Sequence, residues 1–263
     1  MTSEAAGGKY ALTREQMKRQ DIDQILKRWK FEPGEVSARL IRGGDGRELL
    51  QMRIDMGVLQ LEVDGRPDGA RPGGAETYFD YLLALSVREG DSFVLDEEQC
   101  IEADREFVQF YQRRICWLAL REFGRAVSDA DHSLAFMDFV RSCSPSEDWT
   151  TSHEQYRPFI LFHRTQAEAL AALEDGGPEA AVEAVNAGSV RLKECFTEAG
   201  VETDELEEEE LITRLDELRE SVREHYHLGR TLNEQLADAV AAEEFERAAQ
   251  LRDEIARRST RSR

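Results

Sequence analysis

Cysteine is scarce in this chain and never clustered. Its 263 residues hold four, at 100, 116, 143 and 195, and no two stand at the short spacing of a zinc site or a redox pair. They read as reduced thiols, several of them within helices. Long apolar runs are missing as well. No segment reaches the roughly twenty residues of a membrane span, and Met1 to Lys9 carries no apolar signal-peptide core. The expected location is the cytoplasm, with no membrane partner. Positive charge is also short, since 34 Lys and Arg face 54 Asp and Glu, a formal net charge of −20. Such a chain repels phosphate backbones, and DNA binding depends on neutralising phosphates with Lys and Arg. Direct nucleic-acid binding is therefore not expected. One local basic stretch, Arg257 to Arg263, reads as a solvated, disordered tail.

Catalytic patterns are absent in the same way. The five histidines, His132, His153, His163, His225 and His227, form no cluster with the cysteines that would supply four zinc ligands. His225 and His227 fall near a helix end, where the dipole favours a protonated imidazole without any metal. His132 and His163 stand among apolar residues and read as packing groups. No P-loop, dinucleotide fingerprint or Gly-x-Ser-x-Gly elbow occurs. The many carboxylates lie on charge-dense helices, as solvated faces. The expectation is a protein that is not an enzyme and has no cofactor, metal or catalytic residue.

The residues that are present predict an α+β protein, mostly α. Residues 1–15 read as a disordered N-terminus, and Met17, Ile22, Ile25, Leu26 and Trp29 predict a helix from Gln16 to Trp29 that stops before Pro33. The period then changes to two. Val36, Ala38 and Leu40, then Leu50, Met52 and Ile54, then Leu59, Leu61 and Val63 alternate with polar positions, predicting a three-stranded antiparallel meander with one apolar face. Gly43-Gly44-Asp45-Gly46 lacks the Lys-Ser/Thr of a phosphate loop and joins two strands, so it reads as a hairpin turn. The loop at 64–74 follows the last strand and reads as a connector, with Gly65 to Gly69 and Arg71 a candidate recognition segment. A helix from Glu76 to Val87 is expected to cover the sheet and complete a small α+β unit over 16–90.

From 96 to 200 the pattern is helical. Leu118 to Phe136 resembles a tetratricopeptide repeat across its turn and second helix, with Phe123 at the aromatic position, Ala126 as the small packing residue and Ser133-Leu134 as the small-apolar pair. A weaker echo runs from Ala167 to Val185, with its turn at Gly176-Gly177-Pro178 and small residues Ala180, Ala181 and Ala184. Cys143 to Trp149 interrupts the two as a loop, so the 34-residue period is not kept. The resemblance implies a concave peptide-binding surface, and simple core packing explains the same residues equally well. Residues 201–210 read as an exposed acidic linker and helix start. Leu211, Leu215, Leu218 and Val222 then mark a narrow stripe on a helix to about His227, expected as an arm carrying the C-terminus away from the body (201–228).

The last segment, 229–258, holds the most specific signal. Leu232, Leu236, Ala239 and Val240 recur on one face of a helix, and Phe245, Ala248, Ala249, Arg252 and Ile255 repeat that spacing on a second. Ala242-Glu243-Glu244 is too short to do anything but return the chain antiparallel. Alanines 239, 248 and 249 let the helices approach, and Phe245 is expected to be the large apolar residue of their seam. The ordered run Glu244-Phe-Glu-Arg-Ala-Ala-Gln-Leu-Arg-Asp-Glu-Ile255 resembles the UVR motif of UvrB and UvrC, found also in the activator of the protein-arginine kinase and in some Clp chaperones. The chain has no helicase or nuclease motif, and no paired Cys-x-x-Cys of the kinase activator, so the resemblance is to bacterial proteins that carry a UvrB/UvrC motif beside other domains. It implies a helical hairpin used for protein–protein contact, with Leu236, Ala239, Val240, Phe245, Ala248, Ala249, Leu251, Arg252 and Ile255 as partner-binding residues. The implied partner is a UvrB/UvrC-type subunit, a Clp chaperone, a kinase or a second copy of the hairpin. Residues 259–263 are left as a basic tail.

Overall fold

A computed structural model describes residues 21–198 and 205–261. Residues 1–15, expected to be disordered, and the acidic residues 201–204 lie outside them. The architecture is α+β and mostly α. A short helix α1 (Asp23–Arg28) leads into the sheet. The helix was expected from Gln16; residues 16–20 lie outside the described ones, and within these it begins at Asp23, whose amide the Asp21 carboxylate accepts at 3.2 Å. Strands β1 (Ser37–Arg42), β2 (Glu48–Ile54) and β3 (Gly57–Glu62) form an antiparallel meander in that order. The register sets Leu40 beside Leu50 and Leu50 beside Leu61, so the alternation seen in the sequence does place these leucines on one face. Gly46 takes a φ of 87° in the first turn, a conformation that favours glycine, and Asp45 accepts the Arg47 amide at 3.2 Å.

The helices begin where polar side chains can cap them. Thr77 accepts the Asp80 amide to open α2 (Tyr78–Glu89). Asp96 and Gln99 form a reciprocal capping box, with bonds of 2.8 and 2.9 Å, at the start of α3 (Glu97–Ala119). A reversal at Arg121 sends the chain back as α4 (Phe123–Ser142). The expected loop from Cys143 to Trp149 is only partly a loop. Ser146 caps a short α5 (Glu147–Glu154) by accepting the Trp149 amide, with Glu147 and Asp148 in the first turn complementing the dipole. Helices α6 (Arg157–Asp175), α7 (Pro178–Glu198) and α8 (Glu205–Tyr226) complete the body.

Two expectations about packing are corrected. The helix after the long loop, α2, does not cover the sheet. Its Tyr78, Leu82 and Leu85 pack with Leu95, just before α3, and with Cys100, Ala103, Phe136 and Val140 of the α3–α4 hairpin. The sheet instead lays Leu50 and Leu61 on Cys116, Trp117, Phe123, Ala126 and Ala167, drawn from α3, α4 and α6. The apolar face of α2 is thus taken up by the α3–α4 hairpin, and the sheet buries its leucines on the far ends of the same helices. Nor is α8 an arm. Its stripe residues Leu211 and Leu215 are buried against Phe162, Ala169, Val185 and Leu192, and Val222 against Ala181 and Val182. The stripe read as a seam for a partner finds that seam in α6 and α7 of its own chain.

The α3–α4 and α6–α7 hairpins stack through α4 on α6. Phe123, Ala126 and Ser133 are buried in this stack, as is Ala181 in the second hairpin. Helices α6 and α7 cross so tightly at Gly188 that a Cβ there would sit 2.0 Å from the Thr165 side chain. The loop at 64–74 is drawn inward at Arg66 and Pro67, while 68–71 stay exposed. Arg66 is buried and bonds Glu102 at 2.8 Å, while the Gly65 carbonyl accepts Arg113 at 2.8 Å. Beneath it the fully buried Glu106 carboxylate accepts the Tyr78 and Phe79 amides at the start of α2, at 2.6 and 3.0 Å. An anion placed at a helix N-terminus with both oxygens bonded offsets its desolvation cost.

Candidate functional site

Beyond α8 the chain turns at His227, whose φ of 53° is left-handed, passes Leu228 and Gly229, and enters a helical hairpin. Helix α9 (Leu232–Ala241) opens with a second reciprocal capping box. Thr231 accepts the Glu234 amide at 3.3 Å, and the Glu234 carboxylate accepts the Thr231 amide at 2.8 Å. It closes at Ala242 with a Schellman motif, in which Glu244 N–H bonds the Ala239 carbonyl and Glu243 N–H bonds that of Val240. Glu243 takes the left-handed position, at φ 59°. Phe245 then begins α10 (Phe245–Arg261). The short connection read from Ala242-Glu243-Glu244 is this turn. Backbone helix continues to Arg261, so the part of the expected basic tail from 259 to 261 belongs to α10.

The residues singled out from the sequence divide into three groups, buried, half-buried and exposed. Ala239, Ala248 and Leu251 are buried in the hairpin's own seam, with Leu232 and Leu236 packed on them. Ala249 and Ile255 are half-buried. Val240 is 53% exposed and Phe245 is 70% exposed. Arg252 lies outside with its guanidinium on its neighbour Asp253 at 2.9 Å. Phe245 is thus not the large residue of the seam, as expected, and Leu251 fills that place. The reason is the direction of side chains on a helix. They tilt toward the N-terminus, so the first residue of α10 projects its ring past the closed end of the hairpin, beyond α9.

Val240 and Phe245 flank the tight turn and make an apolar tip. Glu243, Glu244 and Glu246 surround it, and Glu244 pairs with Arg247 at 3.2 Å. Among the described residues the two hairpin helices pack on each other more than on any helix of the body. The hairpin is fastened at its base. Glu234 accepts Asn186 Nδ2 of α7 at 3.0 Å and pairs with Arg223 of α8, and Arg258 approaches Glu179 at 3.5 Å. The Glu234 carboxyl is desolvated there, yet the bonds from Thr231, Asn186 and Arg223 hold it below its ordinary range. Sequence reasoning missed Asn186, Arg223 and Glu234. The Thr231-x-x-Glu234 spacing marks the cap, but nothing in the pattern links it to Arg223, 11 positions away, or to Asn186, 48 positions away.

The titratable groups of the body are occupied in packing. His132 stacks on Phe110 with ring centroids 3.7 Å apart, and its Nε2 lies 3.1 Å from Glu106. Burial, then the Arg114 and Arg214 charges, push the His163 imidazole down to about 4. All four cysteines are buried. Burial raises the Cys116 thiol to about 12 and the Cys143 thiol to about 11, and it raises Cys100 as well. Thiols so protonated are poor nucleophiles and poor ligands. Among the described residues no group of three or more His, Cys, Asp or Glu side chains could hold a metal ion, and no helix is long and apolar enough to cross a membrane.

Residues 230–257, about a tenth of the chain, match the family model of the UvrB/uvrC motif, UVR. The match begins at Arg230 and runs through both hairpin helices. No curated protein and no solved structure matches the chain.

Proposed function

We propose that this chain is a non-catalytic adaptor whose C-terminal hairpin docks on a partner protein. One observation carries the reading. A hairpin matching a protein-interaction motif is fastened to the body at its base and leaves Val240 and Phe245 exposed on either side of its turn, while its small core of Ala239, Ala248 and Leu251 is already closed. A large aromatic left exposed on a rigid element is the type of anchor that dominates interfaces when it enters a partner's pocket. The contact would be helix on helix, with the acidic residues about the tip setting register. Leu236, Ala239, Ala248 and Leu251 then shape the hairpin, and Val240, Phe245 and the half-buried Ile255 touch the partner. The helical body recognises a second protein.

A second reading, an accessory factor of nucleotide excision repair, is favoured by the motif itself, named for UvrB and UvrC. It differs from the first in the identity of the partner, a UvrB/UvrC-type subunit, and in any use of DNA, which a charge of −20 opposes. Affinity capture with wild type beside Phe245→Asp tests both. Proteins held by the wild type and lost from the variant support the adaptor. Excision-nuclease subunits among them, rebinding as purified proteins with the same dependence on Phe245, place it in repair. Identical lists from the two baits overturn the hairpin as the contact.

A further inference from the structure

The hairpin is posed by a polar node as well as joined through the chain. Gly229 is the loosest point of the connection. On one side Leu228 packs on the α7–α8 cluster with Val222, Ala181 and Val182. On the other, Arg230 already belongs to the hairpin, since its carbonyl accepts Gln235 at 2.9 Å and its guanidinium pairs with Asp238 at 2.9 Å. A Cβ at Gly229 would meet nothing within 4 Å, so no packing against that position holds the connection. Without further contacts the hairpin would swing about one residue.

We infer that Glu234 is a latch that fixes the hairpin in one orientation on the body. Its two oxygens face two ways. Oε2 closes the capping box on the Thr231 amide at 2.8 Å, which is internal to the hairpin. Oε1 takes Asn186 Nδ2 of α7 at 3.0 Å and the Arg223 guanidinium of α8. Both body donors are themselves held. Arg223 bonds Glu220 at 2.8 Å, and the Asn186 oxygen accepts Arg219 at 3.4 Å. The node is largely enclosed, with side-chain exposures of 18% for Arg223 and 13% for Glu234, where charge-assisted bonds are stronger than at a free surface. The other link, Arg258 to Glu179, is exposed on both sides and contributes little. One carboxylate therefore starts α9 and sets the direction in which the apolar tip points. A partner that needs the tip at another angle has to open this node, which couples hairpin docking to α7 and α8.

The test reads orientation directly and needs no partner, so its outcome is independent of the docking proposal. Nitroxides are placed on Ala242→Cys at the turn and Ala135→Cys on α4, both exposed, in a full chain whose four native cysteines are buried. Pulsed dipolar spectroscopy then gives the tip-to-body distance. The latch predicts one narrow distribution, broadened several-fold by Asn186→Ala with Arg223→Ala. Glu234→Gln provides the second variant. Glutamine still serves the capping box but has no charge for Arg223, so the hairpin stays folded and its distribution broadens. A broad distribution in the unmutated background overturns the latch. So does a distribution that stays narrow in Glu234→Gln or in the double variant, with helical content retained.

Discussion

Arg113 lies fork to fork on Asp129, with Nε to Oδ2 at 2.9 Å and Nη2 to Oδ1 at 2.7 Å, and both side chains are almost wholly buried. The third guanidinium nitrogen reaches the carbonyls of Glu62 and Gly65. One bidentate pair thus ties α3 to α4 and to the strand end that leads into the long loop. Removing one member leaves the other charged and dry. Asp129→Ala should cost about 3–5 kcal/mol, read as a lower urea midpoint. Asp129→Leu with Arg113→Met should recover much of it, because the charge and its desolvation disappear together. A double variant as unstable as Asp129→Ala would show that the carbonyl bonds, not the pair, hold the junction.

Truncation asks whether the hairpin belongs to the core. Its seam is its own, and its ties to the body include the Glu234 node and the pair of Arg258 with Glu179. Deleting 229–263 should leave a cooperative remainder whose stability falls by no more than about 1 kcal/mol, the scale of a few polar contacts. Circular dichroism and a urea curve on the shortened chain check this. Loss of cooperativity would make α9 and α10 part of the body's fold.

Much of this architecture is legible in local pattern, and what fails is where distant elements compete for burial. The alternation in 36–63 predicts the sheet and its apolar face, because strand register follows from a period of two. The hairpin is legible from Ala239, Ala248 and the brevity of its turn. Which surface covers the sheet is not, since α2 and the α3–α4 hairpin both offer apolar residues and only the assembled packing selects between them. The stripe on α8 shows that it needs a neighbour without showing which one. Phe245 is misplaced for a local reason. Periodicity assigns it a helical face, but at the first residue of α10 the tilt of the side chain matters more than the angle around the axis. Asn186, Arg223 and Glu234 are absent from the sequence reading because polar bonds between distant helices leave no periodic trace.

Glu243 occupies the left-handed position of the hairpin turn, φ 59°, and an L side chain there is strained by about 1 kcal/mol relative to glycine. It has no ion pair among the described residues that the change would remove. Glu243→Gly should therefore stabilise the hairpin by up to about 1 kcal/mol, which slows exchange of its seam amides about fivefold. Amides of Ala248 and Leu251 report it by hydrogen exchange. Unchanged or faster exchange would show that glycine's freedom in the unfolded chain cancels the relief.

His163 gives the body a pH dependence with a defined sign. Burial, then Arg114 and Arg214, hold its imidazole at about 4 in the folded protein, against about 6.5 when unfolded. The unfolded chain takes up this proton first as pH falls. Its contribution is full above about 6.5, declines through the window from 6.5 to 4, and changes no further below that. One proton sets a limit of about 1.4 kcal/mol per pH unit, and the half-buried ring should realise roughly 1–3 kcal/mol across the window. His163→Phe removes the titration and keeps an aromatic beside Phe159 and Phe162, which already contact this ring. Urea midpoints of the two proteins between pH 7 and pH 4.5 should diverge, with the wild type losing more. Parallel curves would mean that the ring is protonated in the folded state at the same pH as in the unfolded chain, and that its burial costs the charge nothing.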